Sequence, residues 1–333
     1  MATIKDVAAR AGVSVTLVSR YINQKKGVGP ESAKRIQDAI DDLHYQPNAL
    51  ARSLVQGETK TIAVLLDHLC SPRLFPFIQG IEEVAFTAGY TPVFLSGAGD
   101  PKRKAQIFSE YSSQGLVDGM ILYGDLAVDE KNTQSIFNRN LPIACVDCQT
   151  EQISGDAIRI DSAQGAYQLA RHLLRDHRWV CLFTAEKDSA DTKSRITGYG
   201  RAVKEISDED HMHMVDSGWT EEDGYQTMTR LLNKNICPEA VMATSDACAY
   251  GVMKALVERG KRIPEDVAVT GFGGEGVTTV DTRLPALTTV QQPMKEIGRE
   301  AAKMLILRIA QPGLPLEKRY FSSQLVLRRS SRL

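Results

Sequence analysis

The chain has 333 residues, 43% of them hydrophobic and 24% charged, with a formal net charge of -1. That length fits two or three domains of about 150 residues each, and the composition is that of a globular protein rather than a disordered or fibrous one. The charge balance excludes a polycation, and no apolar run approaches the ~18 residues of a membrane span.

The first predicted elements are three short helices, about Ile4–Ala11, Val15–Asn23 and Glu31–Leu43. Ala8 is small where two helices must cross closely, and Gly12, four residues on, supplies a left-handed turn. Ser14 is a good N-cap for the second helix. Val13 and Val18 are apolar where that helix packs back on the first. Ile36, Ile40 and Leu43 share one face of the third helix, and Pro47 stops it. This is the spacing of a helix-turn-helix, which sets the start of its second helix into the major groove of DNA. Residues 1–60 also hold nine Lys/Arg against six Asp/Glu, the correct sign for a small DNA-binding module on a mildly acidic body.

Thr16 and Arg20 lie four residues apart and share a helix face. An Arg grips guanine O6 and N7 through two bonds worth about 1–3 kcal/mol in discrimination, Thr bonds either way, and Val15 suits a thymine methyl. The plainer readings are a phosphate contact for Arg20 and packing for Val15. Ser14, Ser19 and Asn23 suit phosphates and fix register. Thr3 and Asn48 complete the candidate DNA contacts, and the segment NALARSL precedes a polar linker, VQGETK. At about seven residues that segment is too short to hold as an isolated helix, for which roughly 12 are needed.

From Thr61 the texture changes. IAVLLD (62–67), TPVFLSG (91–97), GMILYG (119–124), PIACVD (142–147) and AIRID (157–161) read as buried parallel strands, with helices near 76–88, 102–115 and 129–139. The pattern repeats with strands WVCLFT (179–184), MHMVD (212–216), AVMATS (240–245) and VAVTGF (267–272), and helices near 193–206, 221–234, 247–259 and 294–310. The expected fold class is α/β: a helical headpiece followed by two doubly wound lobes in series. FSSQLVLRRS is a candidate final strand. Cys145 and Cys148 form a nominal CxxC at the end of a buried strand with no second pair, so buried thiols are expected rather than a zinc or redox site. The polar N-terminus has no secretory signal, which places the chain in the cytoplasm.

Ligands of doubly wound sheets bind outside the carboxyl ends of the strands. Asp147, Arg195, Trp219, Ser245 and Asp246 fall there, with Phe75 and Phe77 after the first strand. Carboxylates and Arg to bond hydroxyls, with an aromatic face to stack on a ring, make the inventory of a sugar site. Each has a plainer reading: Asp246 as a helix cap, Trp219 as core, Asp147 as a strand-end cap, Arg195 as a structural residue. Phe272 and Gly273 belong to GFGGEG, which follows a strand yet lacks the GxGxxG order of a phosphate loop.

TIKDVAARAGVS, VSRYIN and YQPNALARSL, followed by IAVLL, VAVTGF and LPALTTV, resemble the LacI/GalR family of bacterial transcription repressors over the whole chain and in the right order. The resemblance implies a helix-turn-helix headpiece (1–46), a hinge helix and linker (47–60) and an effector core (61–333). That core is like type I periplasmic sugar-binding proteins, with one lobe of about 61–161 and 292–320 and another of about 162–291 and 321–333. It implies base reading by Val15, Thr16 and Arg20, and paired hinges in the minor groove where Leu54 wedges between base pairs, at a cost of a few kcal/mol repaid by contact. Ala51 is small where two hinges approach. Asp147, Arg195, Trp219, Ser245 and Asp246 match ligand positions of sugar-responsive members.

Two departures stand out. Leu17 replaces the usual Thr, so a backbone contact is lost or the packing differs. Gly273 replaces the first Asp of the usual GYDD or GFDD, removing a carboxylate. GFGG is similar to the disaccharide-responsive branch, the trehalose and sucrose repressors, where two glycines leave room for a second ring.

The expected protein is a homodimeric repressor of carbohydrate genes on near-palindromic operator DNA. The chain stops at LRRSSRL without the helix that tetrameric members add. The effector is a mono- or disaccharide or a phosphosugar that releases the DNA, with no cofactor, metal or membrane partner. The alternatives are a solute-binding protein for transport, an α/β sugar enzyme, and a corepressor-dependent regulator with a non-sugar ligand. No P-loop, metal-spaced His cluster or nucleophile–base motif supports the enzyme.

Overall fold

The computed structural model describes residues 2–23, 25–45, 58–69, 73–124, 126, 141–148, 155–185, 189–206, 212–274 and 281–332. Asn48, Ala51, Leu54 and the helix expected near 129–139 lie outside these residues. The chain divides into two compact units, Met1–Lys60 and Thr61–Leu333.

The first unit contains α1 (Ile4–Ala11), α2 (Val15–Ile22) and α3 (Pro30–Asp42). Thr3 caps α1 in a reciprocal box with Asp6, satisfying N–H groups that the first turn leaves free. Gly12 ends the helix at φ 63, the left-handed region that a side chain resists. Two residues later Ser14 caps α2 by accepting from Leu17 N at 3.2 Å. Pro30 opens α3, where its missing N–H costs nothing. Val7, Ala8, Ala11, Val18, Ile36 and Ala39 form the buried core, with Leu17 packed against it. Leu17 thus takes up the packing alternative that its missing hydroxyl left open.

The second unit carries two sheets, each of six strands among the described residues. The first lobe runs β1 (Thr61–Leu66), α4 (Leu74–Thr87), β2 (Thr91–Ser96), α5 (Pro101–Ser113), β3 (Gly119–Tyr123), β4 (Ile143–Val146) and β5 (Asp156–Asp161). The second runs α6 (Ser162–Leu174), β6 (Val180–Thr184), α7 (Ala190–Ile206), β7 (His213–Asp216), α8 (Glu221–Asn233), β8 (Ala240–Met242), α9 (Asp246–Glu258), β9 (Ala268–Gly273) and β10 (Thr288–Gln291). The chain then returns as α10 (Met294–Ala310) and β11 (Lys318–Ser322), and crosses back as β12 (Gln324–Val326). Strand orders are β11-β5-β4-β3-β1-β2 and β12-β10-β9-β8-β6-β7. All pairs are parallel except β10 with β12. Helices cover both faces, so central strands such as β1, β3 and β6 are apolar throughout.

The structure departs from the sequence expectations in three places. Helix α6 follows β5 without a loop, because Asp161 is both the last strand residue and the N-cap, accepting from Gln164 N. β10 lies in LTTVQ, where no strand was expected. FSSQLVLRRS is not one strand. Its start completes β11 beside β5, so the change of lobe falls after Ser322 instead of at 320, and QLV pairs with β10.

Three chain crossings join the lobes, at Asp161–Ser162, Gln292–Pro293 and Ser323. They are fastened to each other: Gln292 Nε2 donates to Ser162 Oγ at 3.1 Å, and Ser323 Oγ donates to Asp161 O at 3.5 Å. Among the described residues no helix is long and apolar enough to cross a membrane.

Candidate functional site

In the first unit, α2 presents its N-terminal turn to solvent. Val15 is 40% exposed, and Thr16 and Arg20 are exposed one turn apart. The caps that build the turn restrict the other candidates. The Thr3 hydroxyl donates to Asp6 Oδ2, and Ser14 Oγ accepts from Leu17 N. Asn23 Nδ2 donates to Ser19 O at 2.8 Å and to Ser19 Oγ at 3.4 Å, so these two hold each other at the end of α2. Serine and threonine oxygens keep spare capacity in such caps, and they stay compatible with phosphate contacts.

In the second unit Trp219 and Phe272, two of the predicted effector residues, pack on a third, Arg195. This side chain is 2% exposed and rises from the second turn of α7, a helix opened by Ser189 Oγ accepting from Thr192 N at 3.5 Å. Its guanidinium lies 4.9 Å from the Trp219 ring centroid and 4.3 Å from that of Phe272. Nη2 approaches Asp191 Oδ1 at 3.7 Å, while Nε and Nη1 are buried without a partner. From the other lobe comes Arg73, at the N-cap of α4. Its Nη1 donates to Asp191 Oδ2 at 3.1 Å and its Nη2 to Tyr123 Oη at 2.7 Å.

Asp147 stands at the end of β4 in the left-handed region, at φ 56. That is uncommon for a residue with a side chain, and such strain concentrates at functional positions. Burial and the charge of Asp191 push its carboxyl up to about 6, against the pull of Arg73, the Ile160 N–H and Arg159. Burial also opposes ionisation of Asp191, but Arg195 and Arg73 overcome it and hold that carboxyl down to about 2. Burial disfavours the charge on Arg195, and Asp191 supports it.

Four of the candidate positions have structural partners of their own, the plainer reading of each. Ser245 is the N-cap of α9: its hydroxyl accepts from Cys248 N at 3.0 Å and donates to Trp219 O at 2.5 Å, so it positions the tryptophan. Asp246, 2% exposed, accepts from Thr289 Oγ1 and ties α9 to β10. Gly271 is required beside it, since a Cβ there would lie 2.3 Å from Asp246 Oδ1. Phe77 is fully buried and packs edge-on against Tyr123 at 5.3 Å, so it backs the site from the core. The double glycine does not open a space at Gly274, where a Cβ would meet Gln291 at 2.6 Å. Gly273 ends β9 at φ 133, and Phe75 stands 60% exposed two residues beyond Arg73. Cys145 and Cys148 are buried and not joined in a disulfide, and the Cys148 thiol donates to Gly124 O at 2.9 Å.

Sequence reasoning missed Arg73, Tyr123, Asp191, Arg159 and Gln292. Signals existed for three of them. Arg73 precedes Phe75, Tyr123 closes a strand at its carboxyl end, and Asp191 lies one helical turn before Arg195. Among the described residues no cluster of three metal-ligating side chains occurs.

Residues 3–48 match the domain description "Bacterial regulatory proteins, lacI family", and residues 170–331 match "Periplasmic binding protein-like domain". The chain is 33% identical to an HTH-type transcriptional repressor PurR of Mannheimia succiniciproducens, over 99% of this chain and 98% of that one. Its fold is similar to that of a lac repressor dimer bound to operator and the anti-inducer ONPF (TM-score 0.83, 23% identity, 99% of each chain). It is also similar to a LacI family transcriptional regulator from Enterococcus faecium with bound ribose (TM-score 0.70, 26% identity, 81% of this chain and 98% of that one). The chain belongs to the LacI family of DNA-binding transcriptional repressors, with a helix-turn-helix module and a ligand-binding core of the periplasmic-binding-protein kind.

Proposed function

We propose that this repressor, as a homodimer on a near-palindromic operator, is controlled by a small sugar or sugar derivative held at Arg195 between the two lobes. The observation that carries the reading is the state of Arg195. It is buried and wedged against Trp219 and Phe272, and two of its N–H groups have no acceptor. A buried polar group without a partner is destabilising, and hydroxyl or anionic oxygens of a ligand would complete it. The ribose named for the Enterococcus faecium protein is consistent with this class of effector. Exposed Val15, Thr16 and Arg20 supply base reading, and protein two-fold symmetry sets the half-site spacing.

Ligand binding shifts operator affinity only in so far as it favours one lobe arrangement over another. The direction favoured is induction, in which the bound effector releases the DNA. A second reading is a corepressor-dependent regulator with a non-sugar ligand, and relatives named PurR keep a non-sugar effector open.

The test is a salt-dependent gel shift on DNA upstream of the protein's own gene, repeated with sugars, phosphosugars and nucleobases. A specific complex that weakens steeply with salt and changes with one ligand class supports the proposal. No specific complex, or one indifferent to every ligand in the panel, overturns it.

A further inference from the structure

We propose that the effector carries an anionic group, a carboxylate or a phosphate, received by Arg195 together with Arg73 and Arg159. This rests on the assignment of the Arg195 cluster as the effector site. Among the described residues, six buried side-chain polar atoms lack a partner, and four are guanidinium N–H groups: Arg195 Nε and Nη1, Arg73 Nε and Arg159 Nη1. The other two are Thr192 Oγ1, next to Asp191, and Gln292 Oε1 at a lobe crossing. The surplus is therefore of charged donors.

Among the described residues the carboxylates near these groups do not balance it. Asp191 turns Oδ2 to Arg73 and Oδ1 to Arg195, and so has an oxygen on each. Among the described residues Asp147 is the other carboxylate whose charge acts on Arg195 and Arg73, and it is shared with Arg159, whose charge acts on Asp147. A neutral sugar would fill hydrogen bonds and leave the positive excess in place. A carboxylate or phosphate fills both, and the planar guanidinium fork matches either in a two-bond contact.

The aromatic rings point the same way. Trp219 and Phe272 each have the Arg195 guanidinium over the ring, at 4.9 and 4.3 Å. A ring covered by a cation has that face closed to stacking on a sugar. Its role is to fix the guanidinium in one orientation, ready for a ligand that the fork can grip.

The experiment uses the full chain at constant ionic strength, reading melting temperature and Trp219 fluorescence in a Trp179→Phe background. The probes are inorganic phosphate, acetate, glucose, gluconate and glucose 6-phosphate, with chloride as the matched control. The expected result is a saturable rise in melting temperature with the anions and none with glucose. Phosphate with glucose 6-phosphate, or acetate with gluconate, identifies which anion is favoured. Arg195→Gln removes the effect. Arg73→Gln, a change at a helix cap, weakens it about tenfold and serves if Arg195→Gln does not fold. Asp191→Asn removes the internal competitor and strengthens anion binding about tenfold, a gain that a merely structural carboxylate would not give. No anion effect beyond chloride, or weakened binding in Asp191→Asn, overturns the proposal. Operator release by a neutral sugar would leave the ligand-controlled repressor standing and remove only the anionic class.

Discussion

Arg73 donates to Asp191 at 3.1 Å across 118 positions of sequence, and the two residues belong to different lobes. Both side chains are mostly buried, so the bond is little screened by solvent. It is a polar tie within the cluster that Arg195 completes. Under the proposed function, a ligand that takes either partner would release this tie between the lobes. Coupling energies of about 1–3 kcal/mol are typical for such linkage.

The acids of this cluster give stability two opposite dependences on pH. Both titrate from an ordinary value of 3.8 when unfolded. Asp147, raised to about 6, keeps in the folded state a proton that the unfolded chain has already lost. Stability from this group therefore falls as pH rises from 3.8 and levels off above the folded value. Asp191, held down to about 2, does the reverse: its contribution is full above 3.8 and is lost as pH falls towards 2. Asp147→Asn is expected to remove the decline between these two Asp147 values, read as urea midpoints across that window. An unaltered slope in the variant would contradict the assignment.

Arg20→Ala is expected to bring operator affinity down to the level of unrelated DNA while the ligand-induced melting shift is unchanged. Each lost bidentate base contact is worth about 1–3 kcal/mol, and a dimer loses two. Competition gel shifts with specific and random duplexes measure this. Retained discrimination would leave Arg20 as a phosphate contact.

Ser14→Ala removes the oxygen that accepts from Leu17 N. The expected cost is about 1 kcal/mol to the three-helix module, with Ser14→Gly milder. Amide exchange at the start of α2 follows it locally, because the cap acts on that turn first.

Arg308→Ala is expected to be the most damaging of these changes. Arg308 meets buried Asp156 with two bonds, at 3.0 and 2.8 Å, and also donates to the carbonyls of Leu314 and Pro315. Removing it strands a carboxylate that is 4% exposed, at a cost of about 3–5 kcal/mol. Chemical unfolding of the core measures the loss, and an isosteric Arg308→Met with Asp156→Asn should recover much of it.

The α/β alternation was legible because parallel strands covered on both faces are continuous apolar runs, as in β1 and β6. The helix-turn-helix was legible because capping and left-handed turns demand particular residues, as Thr3, Gly12 and Ser14 show. Helix α6 was hidden because Asp161 ends one element and begins the next, leaving no turn residues to mark the join. Arg195, Asp147 and Trp219 are candidates from the rule that ligands meet strand ends, and the structure places Trp219 against Arg195. Arg73 did not, because its place depends on a partner 118 positions away, and no local pattern records that. Ser245 and Asp246 lie at the strand end the sequence indicates, and the cap and the bond to Trp219 O that Ser245 makes there depend on neighbours that sequence does not record.

The junctions at Ser162, Gln292 and Ser323 are knotted to one another by side-chain bonds. Crossings tied together at one place are expected to favour a hinge motion of the two lobes. Displacement about a hinge grows with distance from it, so a small change beside these junctions would become a larger one at the outer edge of each lobe.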